Sequence, residues 1–125
     1  MQIGVDCNLA VGNRRIFVVT TDEIARMAVQ FMLHDEYETH EFGSLEAAEV
    51  KAGDWPPDLL IVGAELLSDH DVIRPEPVLS RFPKARLLLL ADASIKSANG
   101  VEEIACLQMP LRLEVVRSAV ANELL

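Results

Sequence analysis

The most concentrated set of potential metal ligands is the stretch Ser68-Asp69-His70-Asp71, which combines a hydroxyl, two carboxylates and an imidazole. These groups suit divalent metal ions, and carboxylate oxygens favour hard cations. Alternate residues of a single loop, however, rarely complete a metal coordination shell. We therefore predict no metal site in this stretch and no cofactor for the chain.

Covalent or acid–base chemistry would need a cysteine or a histidine with a suitable partner. Cys7 and Cys106 are far apart and lack metal-ligand spacing, which is typical of reduced thiols in a cytosol. Cys106 lies in an apolar segment and is interpreted as a small buried residue rather than a redox sensor. The histidines, His34, His40 and His70, have no serine or cysteine that the sequence can place beside them. We therefore predict that the protein is not an enzyme.

Composition points to one acidic domain. The chain has 125 residues, half of them hydrophobic, which fits a single domain that needs no disulfide or metal to fold. Its longest apolar runs, such as residues 87–91, are too short to span a bilayer, and its first residues lack the pattern of a secretory signal. The formal net charge of -9 opposes attraction to nucleic-acid phosphates. We expect a soluble, cytoplasmic protein with no nucleic-acid or membrane partner.

Apolar segments alternate with segments of helical period, which is typical of a layered α/β domain with a parallel sheet. The predicted strands cover residues 16–19, 37–42, 59–62, 87–90 and 104–107. The unbroken apolar runs at 59–62 and 87–90 indicate central strands covered on both faces. The period-two pattern at 37–42 indicates an edge or near-edge strand.

Helical segments follow most of these strands. In the first, Ile24, Met27, Ala28 and Phe31 recur at helical spacing and are predicted to pack against the sheet. In the second, Ser44 is the predicted N-cap, and the positions that partly face inward are Leu45, Ala48 and Val50. Three prolines confine the third to residues 78–82. The last helix is predicted to pack through Leu113, Val116, Val120 and Leu124.

This order of elements predicts a flavodoxin-like, doubly wound five-stranded parallel sheet with helices on both faces and strand order 2-1-3-4-5. In such a sheet the carboxyl ends of strands one, three, four and five meet at one rim, where ligands bind. The residues at these strand ends are Thr20, Thr21, Gly63, Ala91 and Met109. This rim is the first place to look for function.

Over residues 15–125 the chain resembles the receiver domain of bacterial two-component response regulators. The resemblance rests on the apolar run 16–19 before an acidic capping residue, on Pro57-Asp58 leading into 59–62, on Phe82-Pro83-Lys84 before the fourth strand and on Met109-Pro110-Leu111 before the last helix. Members of that family carry an acidic pair that binds magnesium, an aspartate that accepts a phosphoryl group, a Ser or Thr after strand four, and a lysine after strand five.

Each of these functional residues is replaced here. Thr20 and Thr21 stand at the acidic pair, Gly63 at the phosphoacceptor, Ala91 at the hydroxyl, Met109 at the lysine, and Cys106 at a common aromatic position of strand five. Two hydroxyls and a glycine cannot satisfy magnesium, and glycine offers no nucleophile. Met109 and Ala91 cannot stabilise the charge of a transferred phosphoryl group. The resemblance therefore implies a degenerate receiver, or pseudo-receiver, that does not bind magnesium.

Three carboxylates near the rim could in principle replace the missing acids: Asp22, Glu65 and Asp92. Asp22 is interpreted as a residue of the first turn of helix one, where a negative charge is favourable. Glu65 and Asp92 are interpreted as residues of solvated loops. We therefore expect no rescued magnesium or phosphate site.

The favoured function is phosphorylation-independent protein–protein interaction in signal transduction. In the resembling family, helix four, strand five and helix five commonly mediate dimerisation or partner docking. The equivalent residues here are Val101, Cys106, Gln108, Leu111, Arg112, Leu113 and Arg117. The stretch 94–100 is interrupted by Asn99-Gly100, which would reshape this face. The predicted partner is another protein or a second copy of the chain.

Two alternatives stay open. The rim could bind a small molecule, because doubly wound sheets bind ligands there, although no glycine-rich phosphate loop is present. An unconventional acid could also accept a phosphoryl group. Residues 1–14 lie outside the resemblance and are predicted to be an N-terminal extension, either an added strand or a packed tail, before a receiver-like domain at 15–125.

Overall fold

A five-stranded parallel sheet organises the computed structural model, which describes residues 14–69, 72–91 and 105–125. Its strands are β1 (Arg15–Val19), β2 (Glu38–Phe42), β3 (Leu59–Gly63), β6 (Arg86–Ala91) and β7 (Cys106–Gln108). They are ordered β2-β1-β3-β6-β7, and every neighbouring pair is parallel. The predicted flavodoxin-like order is confirmed.

The central strands are buried on both faces. Side chains of β1 alternate, with Ile16 and Val18 in one core cluster and Phe17 and Val19 in the other. Residues 59–62 of β3 are likewise fully buried, which explains why their sequence shows no polar alternation. β2 lies at the edge of the sheet with half-buried side chains, so the prediction of an edge strand is confirmed.

Helix α1 (Glu23–Leu33) begins at Asp22, whose Oδ1 accepts a 3.1 Å hydrogen bond from the Ala25 backbone N–H. Its buried residues are Ala25, Val29 and Leu33. The predicted packing stripe was wrong, because Ile24, Met27 and Phe31 are 80%, 56% and 74% exposed. Both sets have helical spacing, and the small side chain of Ala25 faces the sheet instead.

The other described helices are α2 (Leu45–Ala52), α3 (Glu76–Arg81) and α4 (Leu113–Glu123). Ser44 caps α2 as predicted, accepting a 3.1 Å hydrogen bond from the Ala47 backbone N–H. Ala48 is buried, but the prediction for Val50 was wrong, since it is 79% exposed. In α4, Val116 and Val120 are buried and Leu124 packs against the same core cluster, whereas Leu113, the first residue of the helix, is 41% exposed.

The segment between β3 and α3 was predicted as a loop but contains short structured elements. A 3₁₀ turn at Ala64–Leu66 leads into the antiparallel pair β4 (Ser68–Asp69) and β5 (Val72–Ile73). Leu67 and Ile73 are buried and anchor this pair to the core cluster that contains Phe17. No helix within the described ranges is long and apolar enough to cross a membrane.

Candidate functional site at the carboxyl ends of the strands

The rim residues meet around one cavity. Its volume is about 330 Å³, and its lining consists of Thr20, Asp22, Ala64, Glu65, Leu90, Ala91 and Met109. The ladder between β3 and β6 pairs Gly63 with Leu90, and that between β6 and β7 pairs Ala91 with Gln108. The structure thus brings Thr20, Ala91 and Met109 together in the lining, whereas the exposed Thr21 and the buried Gly63 are not part of it.

Glu65 reaches across the rim to the end of β1. Its Oε2 accepts hydrogen bonds from the Thr20 hydroxyl at 2.7 Å, from the Thr21 backbone N–H at 2.8 Å and from the Thr21 hydroxyl at 3.0 Å. The prediction that Glu65 is a solvated loop residue described its exposure but missed these contacts. The 3₁₀ turn that follows Gly63 carries Glu65 back over the strand end.

Gly63 lies directly under this carboxylate. A Cβ atom built on Gly63 would overlap Glu65 Oε1 and would lie 2.6 Å from both Glu65 Oε2 and Thr20 Oγ1. The backbone at Gly63 has φ -64°, which any residue can adopt, so a side chain here is opposed by the neighbouring Glu65 and Thr20 atoms and not by backbone conformation. The carboxylate of Glu65 therefore occupies the room that a side chain at position 63 would need.

Glu65 is held in its ionised form. Burial raises its pKa, but the hydrogen bonds from the Thr21 N–H and from the two threonine hydroxyls outweigh this effect, and the net pKa lies below the usual glutamate value. No lysine, arginine or histidine is among the described residues that line the cavity. The cavity therefore carries negative charge from Glu65 and Asp22 without a basic group in its described lining.

Thr20 is the buried anchor of this arrangement, with only 2% of its surface exposed. Its Oγ1 also accepts a 3.2 Å hydrogen bond from the Asp22 N–H, which positions the cap of α1. Its carbonyl accepts a 2.8 Å hydrogen bond from Arg26 Nη1, and Arg26 Nε lies 3.6 Å from Glu41. The end of β1 is thus fixed from both sides, by Glu65 and by Arg26.

Comparison with solved structures identifies this arrangement of strands and helices. The signal receiver domain of an HD domain-containing protein from Pseudomonas fluorescens Pf-5 is similar at 21% identity, over 90% of this chain and 94% of that chain, with a TM-score of 0.69. A response regulator from Thermotoga maritima is similar at 20% identity, over 90% and 98%, with a TM-score of 0.71. The chain has the receiver fold.

A third structure agrees, a response regulator receiver modulated diguanylate cyclase from Pelobacter carbinolicus, at 19% identity over 89% of this chain and 92% of that one, with a TM-score of 0.68. No protein-family model and no curated protein matches the sequence. The likeness therefore shows the receiver fold and not the chemistry of the rim.

On the receiver fold, the other candidate ligands do not come together. The described ranges contain no group of three or more His, Cys, Asp or Glu side chains that could hold a metal ion. His70, Asp71 and Asp92 lie outside the described residues. Asp22 caps α1 through Oδ1, as its predicted place in the first turn implied.

The predicted interaction face is only partly exposed. Gln108, Arg112 and Leu113 are exposed, Leu111 is half-buried against the core cluster that contains Val116, and Val101 lies outside the described residues. Cys106 packs against the other core cluster, and burial raises the pKa of its thiol. The face therefore has Gln108, Arg112 and Leu113 as its accessible members in the described part of the chain.

Arg117 is partly exposed and contacts the neighbouring helix. Its Nε donates a 3.2 Å hydrogen bond to the Met32 carbonyl, and its Nη2 lies 3.1 Å from Asp35 Oδ1. These contacts join α4 to the end of α1. The prediction that Arg117 belongs to the interaction face stays a prediction.

Proposed function

We propose that this domain acts in signal transduction as a pseudo-receiver, through protein–protein contacts that need no phosphorylation, no magnesium and no catalytic activity of its own. The observation that supports it most strongly is the position of Glu65. Its carboxylate fills the space above Gly63, where the resemblance places the phosphoacceptor side chain, and it is satisfied by the two threonines.

The electrostatics of the cavity favour the same conclusion. A phosphodonor and the group it transfers are anions, and receiver-type transfer needs cations to offset their charge. Here Glu65 and Asp22 are acidic, while Ala91 and Met109 are apolar. An incoming phosphate would thus meet like charge without a compensating basic group in the described lining.

The proposal includes a partner, either another protein or a second copy of this chain, and a cytoplasmic location. The exposed Leu113 at the start of α4, next to Arg112, offers an apolar contact with a polar border, which is the usual make-up of a docking surface.

The proposed absence of phosphorylation is tested by incubating the full chain with acetyl phosphate and magnesium and measuring its intact mass. We expect no phosphoryl adduct on the wild type or on Glu65→Ala. A domain with the full acidic set serves as the positive control. An adduct on the wild type that disappears in Glu65→Ala would overturn the proposal and assign Glu65 as the acceptor.

The proposed protein–protein contact is tested by measuring sedimentation of the chain over a range of concentrations, with and without cell extract. We expect Leu113→Glu to weaken self-association or partner binding by about tenfold, which corresponds to the loss of one central apolar contact. The matched control is Leu79→Glu, on α3 and 37% exposed. Equal behaviour of the two variants would refute the assignment of this face.

A second function, binding of a small molecule, is favoured by the cavity itself. Its volume of about 330 Å³ falls at the lower end of ligand pockets, and its lining joins an apolar wall of Leu90, Ala91 and Met109 to the acidic Glu65 and Asp22. That combination suits a small amine with an apolar body better than a phosphate. Native mass spectrometry of the purified chain tests it, since retention of a bound compound that Ala91→Phe abolishes would favour this function.

A further inference from the structure

Helix α1 is apolar on two opposite sides. Ala25, Val29 and Leu33 face the sheet, and the outward side carries Ile24, Met27 and Phe31. The spacing i, i+3, i+7 makes these three side chains one continuous stripe, called here the outer stripe of α1. A contiguous exposed apolar patch typically marks a contact surface, so the outer stripe of α1 is a candidate docking surface.

The chain itself contains a segment that matches such a surface. In residues 1–13, every odd position up to 11 is apolar or a thiol, and the even positions are polar or small. The odd positions are Met1, Ile3, Val5, Cys7, Leu9 and Val11. Strict period-two alternation is typical of an extended segment with one apolar side.

The described part of the chain begins at Arg14, which lies close in space to the carboxyl-terminal end of α1. The Arg14 carbonyl accepts a 3.0 Å hydrogen bond from the Glu38 N–H, and the preceding residue, Tyr37, donates a 3.0 Å hydrogen bond to the Leu33 carbonyl in the last turn of α1. An extended chain covers at most about 3.5 Å per residue, so Cys7 can lie up to about 25 Å from Arg14. The stripe from Ile24 to Phe31 is only about 10 Å long.

The free edge of β2 is a poorer place for this segment. Glu38 pairs with Arg15 at 2.6 Å and with His40 at 2.8 Å, and Glu41 lies 3.6 Å from Arg26. The apolar side of an added strand would lie beside these charged groups. The outer stripe of α1 instead offers a matching apolar surface.

Charge also favours the chain's own terminus over a second copy. Residues 1–13 contain a single charged side chain, Asp6, whereas a second copy would bring its whole formal net charge of -9 against an equal charge. The terminus is in addition tethered, which gives it an effective concentration in the millimolar range.

We propose that residues 1–13 dock on the outer stripe of α1 through their odd-numbered apolar side chains. The contacts expected of this segment are with Ile24, Met27 and Phe31. This inference is independent of the rim and of its chemistry.

Cys7 makes the proposal directly testable, because it is one of the odd-numbered residues. In a Cys106→Ser background, Met27→Cys places a second thiol in the middle of the outer stripe. The matched control is Val50→Cys on α2, which is 79% exposed and lies on the opposite side of the sheet. Dilute protein is oxidised and analysed by non-reducing intact mass.

We expect an intramolecular disulfide between Cys7 and position 27 to form at least tenfold faster than one between Cys7 and position 50. Equal rates at the two positions would overturn the proposal. Disulfides that form only between chains, recognised by their dependence on concentration, would also overturn it and would assign the stripe to a second copy. Should Cys106→Ser fail to fold, Cys106→Ala provides the same background.

A second measurement leaves position 27 unchanged. The reaction of Cys7 with a maleimide is expected to speed up about tenfold when Phe31→Lys disrupts the stripe, and to stay unchanged in Val50→Lys. Both substitutions are at exposed positions, so the fold is preserved. A Cys7 that reacts at the same rate in the wild type and in Phe31→Lys would contradict docking on this face.

Discussion

The Thr20 hydroxyl donates a 2.7 Å hydrogen bond to Glu65, so the buried end of β1 is joined to the turn after β3 by the chain's own side chains. In the receiver fold this is the rim at which the resemblance places a reactive aspartate and its magnesium. Here a carboxylate from two residues further along occupies the space, and it is positioned by threonines instead of a metal ion. The polar groups at the end of β1 are thus hydrogen-bonded by a carboxylate of the same chain.

Substitutions at Gly63 and Glu65 are expected to be non-additive. A methyl group at position 63 would displace the Glu65 carboxylate, because it would overlap Glu65 Oε1. Gly63→Ala should therefore destabilise the wild type by about 1–3 kcal/mol, largely through the loss of the threonine hydrogen bonds.

In a Glu65→Ala background those hydrogen bonds are already absent, so Gly63→Ala should cost clearly less, with a coupling free energy of about 1 kcal/mol. Urea denaturation of the wild type, both single variants and the double variant measures this. Strict additivity would mean that Thr20 Oγ1, and not Glu65, is the atom that excludes a side chain at position 63.

The two threonines should contribute unequally to stability. Thr20→Val removes a buried hydroxyl that donates to Glu65 and accepts from the Asp22 N–H, leaving the latter unsatisfied, so we expect a loss of about 1–3 kcal/mol. Thr21→Val removes an exposed hydroxyl while its backbone N–H still binds Glu65, so we expect a loss below about 1 kcal/mol. Thermal unfolding compares the two variants, and a larger loss for Thr21→Val would contradict the role given to Thr20.

Much of the fold can be predicted from the sequence because a central parallel strand must be apolar on both sides. The runs at 59–62 and 87–90 therefore identify β3 and β6, and the alternation in 37–42 identifies the edge strand β2. The orientation of α1 could not be obtained in the same way. Positions 24, 27 and 31 and positions 25, 29 and 33 both have helical spacing and both are apolar.

The role of Glu65 was also beyond the reach of sequence patterns. The residue was recognised as an acid near the rim, but its contacts depend on the 3₁₀ turn that begins immediately after Gly63. Gly63 and Glu65 fit together only in the folded chain, because the 3₁₀ turn places the Glu65 carboxylate against Gly63 at the end of β3. The pair β4–β5 was missed for a simpler reason, because strands of two residues carry no periodicity.

Lowering the pH should reduce the free energy of unfolding through protonation of Glu65. Its pKa is lowered in the folded protein, so folding favours the ionised form, and this contribution to stability is present above the unfolded pKa of about 4.3. It is lost as the pH falls through the lower folded value. Glu65→Gln should therefore flatten the fall in unfolding free energy below about pH 5.

Glu38 supplies a comparison for this measurement, because hydrogen bonding to Arg15 lowers its pKa as well. Glu38→Gln should also flatten the fall in unfolding free energy at low pH, and Glu49→Gln, at an exposed position of α2, serves as the surface control. Chemical denaturation between pH 3 and pH 7 gives the three curves. A fall at low pH in Glu65→Gln that matches the wild type would show that the carboxylate gains nothing from the threonines.

Arg117 is expected to stabilise the contact between α4 and α1, although it was first assigned to an interaction face. It donates to the Met32 carbonyl at 3.2 Å and pairs with Asp35 at 3.1 Å, where both side chains are partly exposed. Arg117→Met keeps much of the aliphatic packing and removes these polar contacts, so we expect a loss of about 0.5–1.5 kcal/mol. Arg112→Met, at an exposed position, should change stability by less than about 0.5 kcal/mol. If Arg112→Met were the more damaging variant in urea denaturation, the polar link between α4 and α1 would not be the source of Arg117's contribution.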